Sequence, residues 1–372
     1  MILVSLLSNK FSTPFFEFEG KGIINQYSAL AVGSTLHDQS QNNTDIRSIT
    51  SPINRTNSSS SDVSTLVNKG DALYNQGNYT QAIQYYDKAL DIDPNDEVAL
   101  YGKGNALYQL DNYKQALDYL NKALAIDPND KYALIEKGNT LSSQGNDIQA
   151  LQYYDKAISI DPEYKEVLFD KADSLNTLGN YTQAIQYYDK ALAIDPKYKD
   201  ALNGKGDALY SLANDTQGYE KAIQFYDKAL AIDPNDTYAL NSKGYALYNQ
   251  GNYTQAIQSF NKALAFDPNY TDALNGKGDA LRGQGNYTQA IQYYDKALAI
   301  DPNDSSALNG KGNALSSLGN YTQAVQYYDK ALAIDPNDTA ALTVKLVLLM
   351  VRVMLFITKL ITHKPYSITI RP

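Results

Sequence analysis

The sequence predicts an all-α chain, a linear solenoid of about eight tandem helix-turn-helix units. Three observations carry that prediction. An Asp-Pro dipeptide recurs with its proline at 94, 128, 162, 196, 234, 268, 302 and 336, at a spacing of 34 residues broken by one interval of 38. Within each period, apolar residues recur at helical spacing in two separate runs. Alanine stands at two fixed places of every second run: Ala82, Ala116, Ala150, Ala184, Ala222, Ala256, Ala290 and Ala324, then Ala89, Ala123, Ala157, Ala191, Ala229, Ala263, Ala297 and Ala331.

The units run 63–96, 97–130, 131–164, 165–198, 199–236, 237–270, 271–304 and 305–338. In the first of them Leu66, Gly70 and Leu73 make one helical stripe. Gly77-Asn78 ends that helix, because glycine takes the left-handed conformation that closes one. Ala82, Tyr86 and Ala89 make a second stripe, flanked by Ile83 and Leu90. Asp93-Pro94 stops it, since proline lacks the amide and disfavours helix in the residue before it. Two helices of about 12 residues cannot bury their faces alone, but stacked copies can. The fifth unit carries four extra residues around Ala213–Gly218, read as a turn where insertion costs least.

A small residue in the first run recurs as Gly70, Gly104, Gly138, Gly206, Gly244, Gly278 and Gly312, with Ala172 the exception. With the Ala…Tyr/Phe…Ala series and the closing Asp-Pro-Asn, this unit resembles the tetratricopeptide repeat family across residues 63–338. The resemblance implies a right-handed superhelix whose first helices line a concave wall that binds proteins or peptides. Two departures recur. Leucine (Leu66, Leu100, Leu134 and onward) replaces the family's large aromatic. Lysine replaces a usual leucine at Lys69, Lys103, Lys137, Lys171, Lys205, Lys243, Lys277 and Lys311. That lysine lies about 60° off the buried stripe. Its stem is expected to cover apolar surface while the ammonium reaches water.

Wheel geometry then selects the candidate binding wall, opposite the buried stripe. Its residues are Asn68, Asp71, Tyr101, Asn105, Tyr108, Tyr132, Asn139, Asp173, Asn203, Asp207, Tyr238, Asn241, Tyr245, Tyr248, Asn275, Asp279, Asn309 and Asn313, with Val67, Phe169 and Tyr210 beside them. The expectation is a ladder of Asn and Asp interleaved with exposed Tyr, densest in the second and sixth units. Asn grips peptide backbone as donor and acceptor, and Tyr gives amphipathic contact at low entropy cost. Some members of the family hold a terminal carboxylate on this wall with Lys and Arg. Here only Arg282 is cationic, so a basic or amide-rich protein or peptide is the expected partner.

Composition narrows the function classes. There is no cysteine, and His37 and His363, the only histidines, both lie outside the repeats. Neither thiol chemistry nor a histidine base is available to the array, no cofactor or metal is expected, and the chain is read as a non-enzymatic scaffold. Residues 63–338 carry a net −13 and residues 339–372 a net +5. An acidic array repels phosphate backbones, so nucleic acid is not an expected partner. Asp91–Asp96 has a calcium-loop flavour without the sixth-position glycine or the closing Glu, and turn chemistry accounts for it. Asn-Tyr-Thr sequons at Asn78, Asn180, Asn252, Asn286 and Asn320 are one turn duplicated.

The ends differ from the array. Residues 1–62 form a low-complexity segment in which 34–62 reads as a linker and Ala29-Leu30-Ala31 resembles a signal-peptidase site. The long apolar stretch of a secretory signal is missing, which favours a cytoplasmic over an exported or cell-surface setting. Residues 339–372 open like a ninth unit and turn apolar, with Lys345, Arg352 and Lys359 seven apart along one line of a helix. They are expected to cap the last repeat. The alternative function is an envelope-associated assembly protein that anchors or self-associates through this segment.

Overall fold

The computed structural model describes residues 58–362. The signal-like residues 29–31, both histidines, the linker up to residue 57 and the tail from residue 363 lie outside the described residues.

Among the described residues the protein is helical throughout, without a strand. Helices come in pairs of a first and a second. The pairs are α1 (Ser58–Asn75) with α2 (Tyr79–Ile92), α3 (Glu97–Tyr108) with α4 (Tyr113–Ile126), and α5 (Lys131–Ser143) with α6 (Asp147–Ile160). They continue as α7 (Lys165–Thr177) with α8 (Tyr181–Ile194), α9 (Lys199–Leu212) with α10 (Thr216–Ile232), and α11 (Thr237–Asn249) with α12 (Tyr253–Phe266). The last are α13 (Thr271–Gly283) with α14 (Tyr287–Ile300), α15 (Ser305–Ser317) with α16 (Tyr321–Ile334), and the unpaired α17 (Thr339–Thr362). α1 begins inside the stretch read as linker, held there by Val63 and Val67, which are buried with Tyr86.

In every repeat but the fifth, the first helix ends in the same closed turn. In α1, Gly77 donates to the Tyr74 carbonyl at 2.9 Å and Asn78 to the Leu73 carbonyl at 2.9 Å, with Gly77 at φ +74°. The second repeat makes this turn with Asp111 at φ +57° in the glycine's place. The extra residues of the fifth repeat do not lengthen its turn. They extend α10 to 17 residues against 14 in the other second helices, with Asp215 accepting from the Gly218 amide at 2.8 Å as a new cap.

Each helix packs on its chain neighbours, second helices included between two first helices. First helices of neighbouring repeats also touch each other, and second helices make no comparable contact. The array therefore closes up on the side of the first helices, which makes that side its inner wall.

A buried ring at the middle of each repeat organises the core. It is Tyr86, Tyr154, Tyr188, Tyr226, Phe260, Tyr294 or Tyr328, with Leu120 in the second repeat. Tyr86 lies between Gly70 of its own repeat and Gly102 of the next, where an added Cβ would stand 2.6 and 2.7 Å from the ring. Phe260 is held likewise by Gly244 and Gly276, and Tyr294 by Gly278 and Gly310. Small residues thus admit a large ring at native packing density.

In the second, fourth, fifth, sixth and eighth repeats the recurrent lysine ties its repeat to the one before, where the ammonium was expected to reach water. Lys103 pairs with Asp87, Lys171 with Asp155, Lys205 with Asp189, Lys243 with Asp227 and Lys311 with Asp295. Lys103, Lys171 and Lys311 also donate to the hydroxyls of Tyr119, Tyr187 and Tyr327. A carboxylate lies within reach because each lysine packs into the seam between repeats. The ladder continues into α17, where Lys345 reaches Asp329 at 2.5 Å. Ala341 and Leu348 of α17 are buried with Leu315, Val325 and Tyr328.

Candidate functional site

The inner wall is built from the first helices, and its polar groups fall into two sets. One set answers the core rings. Tyr86 donates to Asp71 at 2.7 Å, Tyr154 to Asn139 at 2.9 Å, Tyr226 to Asp207 at 2.8 Å, Tyr294 to Asp279 at 2.8 Å and Tyr328 to Asn313 at 2.7 Å. Tyr188 reaches Asp173 at a longer 3.5 Å, in the one repeat where Ala172 puts a methyl group where the others have glycine. Phe260 has no hydroxyl, and there the equivalent wall residue is Tyr245, edge-on to the ring at 5.2 Å.

The other set bridges neighbouring repeats. Tyr74 donates to Asn105 at 2.9 Å, and Asn105 to Tyr101 at 3.4 Å. The Tyr108 and Ser143 hydroxyls lie 3.2 Å apart, and Tyr132 stands edge-on to Tyr164. Tyr238 donates to Asp207 at 2.7 Å, Tyr245 to the Asp272 carbonyl at 2.9 Å, and Asn249 to Tyr210 at 2.6 Å. Asn203, Asn275 and Asn309 donate to Asp236, Asp304 and Asp338, the caps or cap equivalents of the following first helices, at 2.9, 2.6 and 2.6 Å. Asn241 hydrogen-bonds Tyr270 in the corresponding place. Arg282 donates to Asp279 at 3.2 Å and to Tyr248 at 3.4 Å.

The expected ladder of exposed side chains is thereby corrected. Asn68 is exposed, whereas Asn105, Asn203, Asn241 and Asn275 are buried and Val67 packs in the core. Tyr101, Tyr108, Tyr132, Tyr238, Tyr245 and Tyr248 are half-buried, as are Asp71, Asn139, Asp173, Asp207, Asp279, Asn309 and Asn313. A wheel drawn on one helix places these residues opposite the stripe that meets their own second helix. It takes no account of the next first helix, which lies against that opposite side.

Sequence reasoning missed Glu136 and Asp170, the sixth residues of the third and fourth units. Four other units have glycine there: Gly102, Gly204, Gly276 and Gly310, each against the preceding ring. Glu136 follows the smaller Leu120, whereas Asp170 follows a full ring, Tyr154, so the column admits a side chain beside a tyrosine as well. A carboxylate standing where the chain repeatedly needs glycine was the available signal.

These two residues join Asp173 and Asp207 in an acidic stretch across α5, α7 and α9. Loss of hydration pushes Glu136 up to about 7. Asp170 is pushed well above the carboxylate range by burial and by Glu136, Asp173 and Glu166, although Asn139 donates to it. Burial raises Asp173 to about 6, with Asp147 adding to it, and Asp207 to about 7 despite two tyrosine donors. The charged neighbours that act most on Asp170, Asp173 and Asp207 are themselves acids.

A family model for the tetratricopeptide repeat matches residues 101–165, 135–199, 169–237, 215–271, 241–305 and 275–339, and a second tetratricopeptide model matches 61–129. The chain belongs to the tetratricopeptide repeat family. A tetratricopeptide repeat protein from Parabacteroides merdae superposes with a TM-score of 0.55 at 17% identity, over 68% of this chain and 99% of that one. The Cut9–Hcn1 hetero-tetramer of APC/C gives 0.57 at 20% identity over 76% of this chain, which spans 55% of the chain matched there. Both likenesses concern the fold. No curated protein matches the sequence. Tetratricopeptide repeats make this chain a protein-interaction scaffold, and the acidic stretch is where its own wall is most distinctive.

Proposed function

We propose that the chain is a non-catalytic scaffold whose wall of first helices receives a lysine- or arginine-bearing segment of another protein across α5, α7 and α9. The observation that carries this reading is the acidic stretch of Glu136, Asp170, Asp173 and Asp207, whose strongest charged neighbours, among them Glu166, Asp147 and Asp236, are acids as well. Partly dehydrated carboxylates that repel one another hold protons near neutrality. An incoming ammonium or guanidinium restores their ionised form, and charge complementarity steers the approach. Half-buried Tyr132, Tyr164 and Tyr198 flank the stretch and give a cationic stem apolar surface.

The linkage sets the test. A cation that lowers those pKa values expels protons on binding, so affinity for an oligolysine or oligoarginine peptide should rise from pH 5.5 to pH 8. Titration calorimetry in buffers of different ionisation enthalpy reads the protons released. Asp170→Asn with Asp173→Asn should cut the release, leaving what Glu136 and Asp207 supply, and weaken binding by more than about tenfold. A basic peptide bound with no proton release, or held equally by that double variant, would remove the acidic stretch from the function.

A further inference from the structure

The face of α17 that points away from α16 is apolar and uncovered. Leu342, Leu346, Met350, Val353 and Phe356 are 43–66% exposed. In every complete repeat the corresponding face of the first helix is covered by its own second helix. α17 does not turn back at that point as the first helices do: it runs straight through Val353-Met354, where most other repeats turn at Gly-Asn.

We infer that this face pairs with α17 of a second copy of the chain, joining two arrays end to end about a two-fold axis. Three features select that occupant. Leu342, Leu346, Leu349, Val353 and Phe356 follow one another at spacings of four, three, four and three, Leu349 being half-buried. That alternation is the seam of two helices packed side by side. Shape excludes a repeat-type second helix. Such a helix drives a ring against a glycine, as Tyr328 does where a Cβ on Gly312 would stand 2.9 Å away, but Leu346 occupies the glycine's place here. Charge permits self-pairing, because no seam position is charged and Lys345 is turned to Asp329 on α16. Two such faces would bury roughly 1,200–1,600 Å² together, the size of a standard specific interface. The seam is also continuous with the α16–α17 core of Leu315, Tyr328 and Leu348, so it rests on a packed support. This inference is independent of the acidic wall.

Sedimentation of the full chain over a range of concentrations tests it. The expected result is a dimer whose dissociation constant rises at least about a hundredfold in Leu346→Lys/Val353→Lys, since a lysine in an apolar seam must be stripped of water. Both residues are exposed in one copy, so helix content should not change. The chain has no cysteine, so Val353→Cys supplies a unique thiol that a short bismaleimide should bridge between copies. A native chain that stays monomeric overturns the inference, as does a double-lysine variant that stays dimeric. A monomer that binds anionic vesicles through these same residues overturns it too, in favour of a lipid surface.

Discussion

Gly310→Ala tests the packing logic most directly. Tyr294 lies between Gly278 of its own repeat and Gly310 of the next, and a Cβ on residue 310 would stand 2.4 Å from its Cε1 and 2.5 Å from its Cζ. The ring's retreat is hindered, because a Cβ on Gly278 would already approach it at 2.6 Å and its hydroxyl is tied to Asp279 at 2.8 Å, although Tyr154 and Tyr226 do meet Asp170 and Ser242 in the same column. In a helix interior alanine is favoured over glycine by about 1 kcal/mol. Overpacking costs about 1–3 kcal/mol, and losing the buried hydrogen bond about 1 more. The net expectation is a loss of about 1–3 kcal/mol. With Tyr294→Leu, which copies the native Leu120 beside Glu136, the same alanine should be neutral or stabilising by up to about 1 kcal/mol, leaving a coupling of about 1–4 kcal/mol. Urea unfolding of the four proteins by circular dichroism, fitted with nearest-neighbour terms, measures it. Should Gly310→Ala alone gain the 1 kcal/mol of its helix propensity, the sandwiched ring is not what fixes the spacing of repeats.

Three further outcomes are expected. Lys171→Met should cost less than about 1 kcal/mol, because Asp155 is left 61% exposed and hydrated, whereas Lys171→Ala should cost more by losing the buried stem; thermal melts distinguish them. Stability should rise as pH falls from about 8 to 5: the raised folded-state pKa values of Glu136, Asp170, Asp173 and Asp207 give a contribution that is full below the unfolded values and lost as pH climbs through the folded ones. Below pH 4 the slope should reverse, because Lys131 and Lys165 hold Asp161 and Asp195 low and that stabilisation is lost as they protonate; denaturant midpoints across pH read both limbs. Finally, residues 199–338 alone should unfold at lower denaturant than residues 63–338, since neighbours supply each unit's core, and equal midpoints would contradict that.

The fold class and the family were legible because they rest on period. Apolar stripes, paired alanines and Asp-Pro stops recur 34 residues apart, and a local reading of one unit transfers to the rest. The wall was legible only in its residue types. Asn105, Asn203 and Asn275 lie on first helices as the wheel requires, yet they are buried, because a single-helix wheel carries no information about a neighbouring helix. The lysine ladder was half legible: its recurrence marked it, but the partner lies in the preceding repeat, across a seam that only the stacked structure closes. Glu136 and Asp170 escaped because the comparison ran along each helix and not down the column of sixth residues, where they interrupt a run of glycines.

The two irregular repeats show which wall positions the core dictates. In the second and sixth repeats the ring position loses its hydroxyl, as Leu120 and Phe260, and the next residue changes with it from Asp to Asn, as Asn121 and Asn261. Lys137 and Lys277, which follow these asparagines, then lack the ion pair made by Lys103 and Lys171; Lys277 turns to the Tyr293 hydroxyl at 2.6 Å, and Lys137 lies 4.2 Å from the Tyr153 ring centroid. At the ninth position the sixth repeat changes to Tyr245, which packs on Phe260, while Asn105 keeps the polar type and serves Tyr74 of the repeat before. Ring and ladder therefore vary as one set, and where the ring is a tyrosine the ninth residue is an Asp or Asn that accepts from its hydroxyl. Asp71, Asn139, Asp207, Asp279 and Asn313 owe their identity first to a tyrosine hydroxyl. Residues free to be chosen for a ligand are those the ring does not prescribe. Of these, Glu136 and Asp170 bring a charge where glycine would pack as well, which costs hydration and gives the core nothing in return. On the proposed reading, it is on these two that selectivity for a cationic partner should depend.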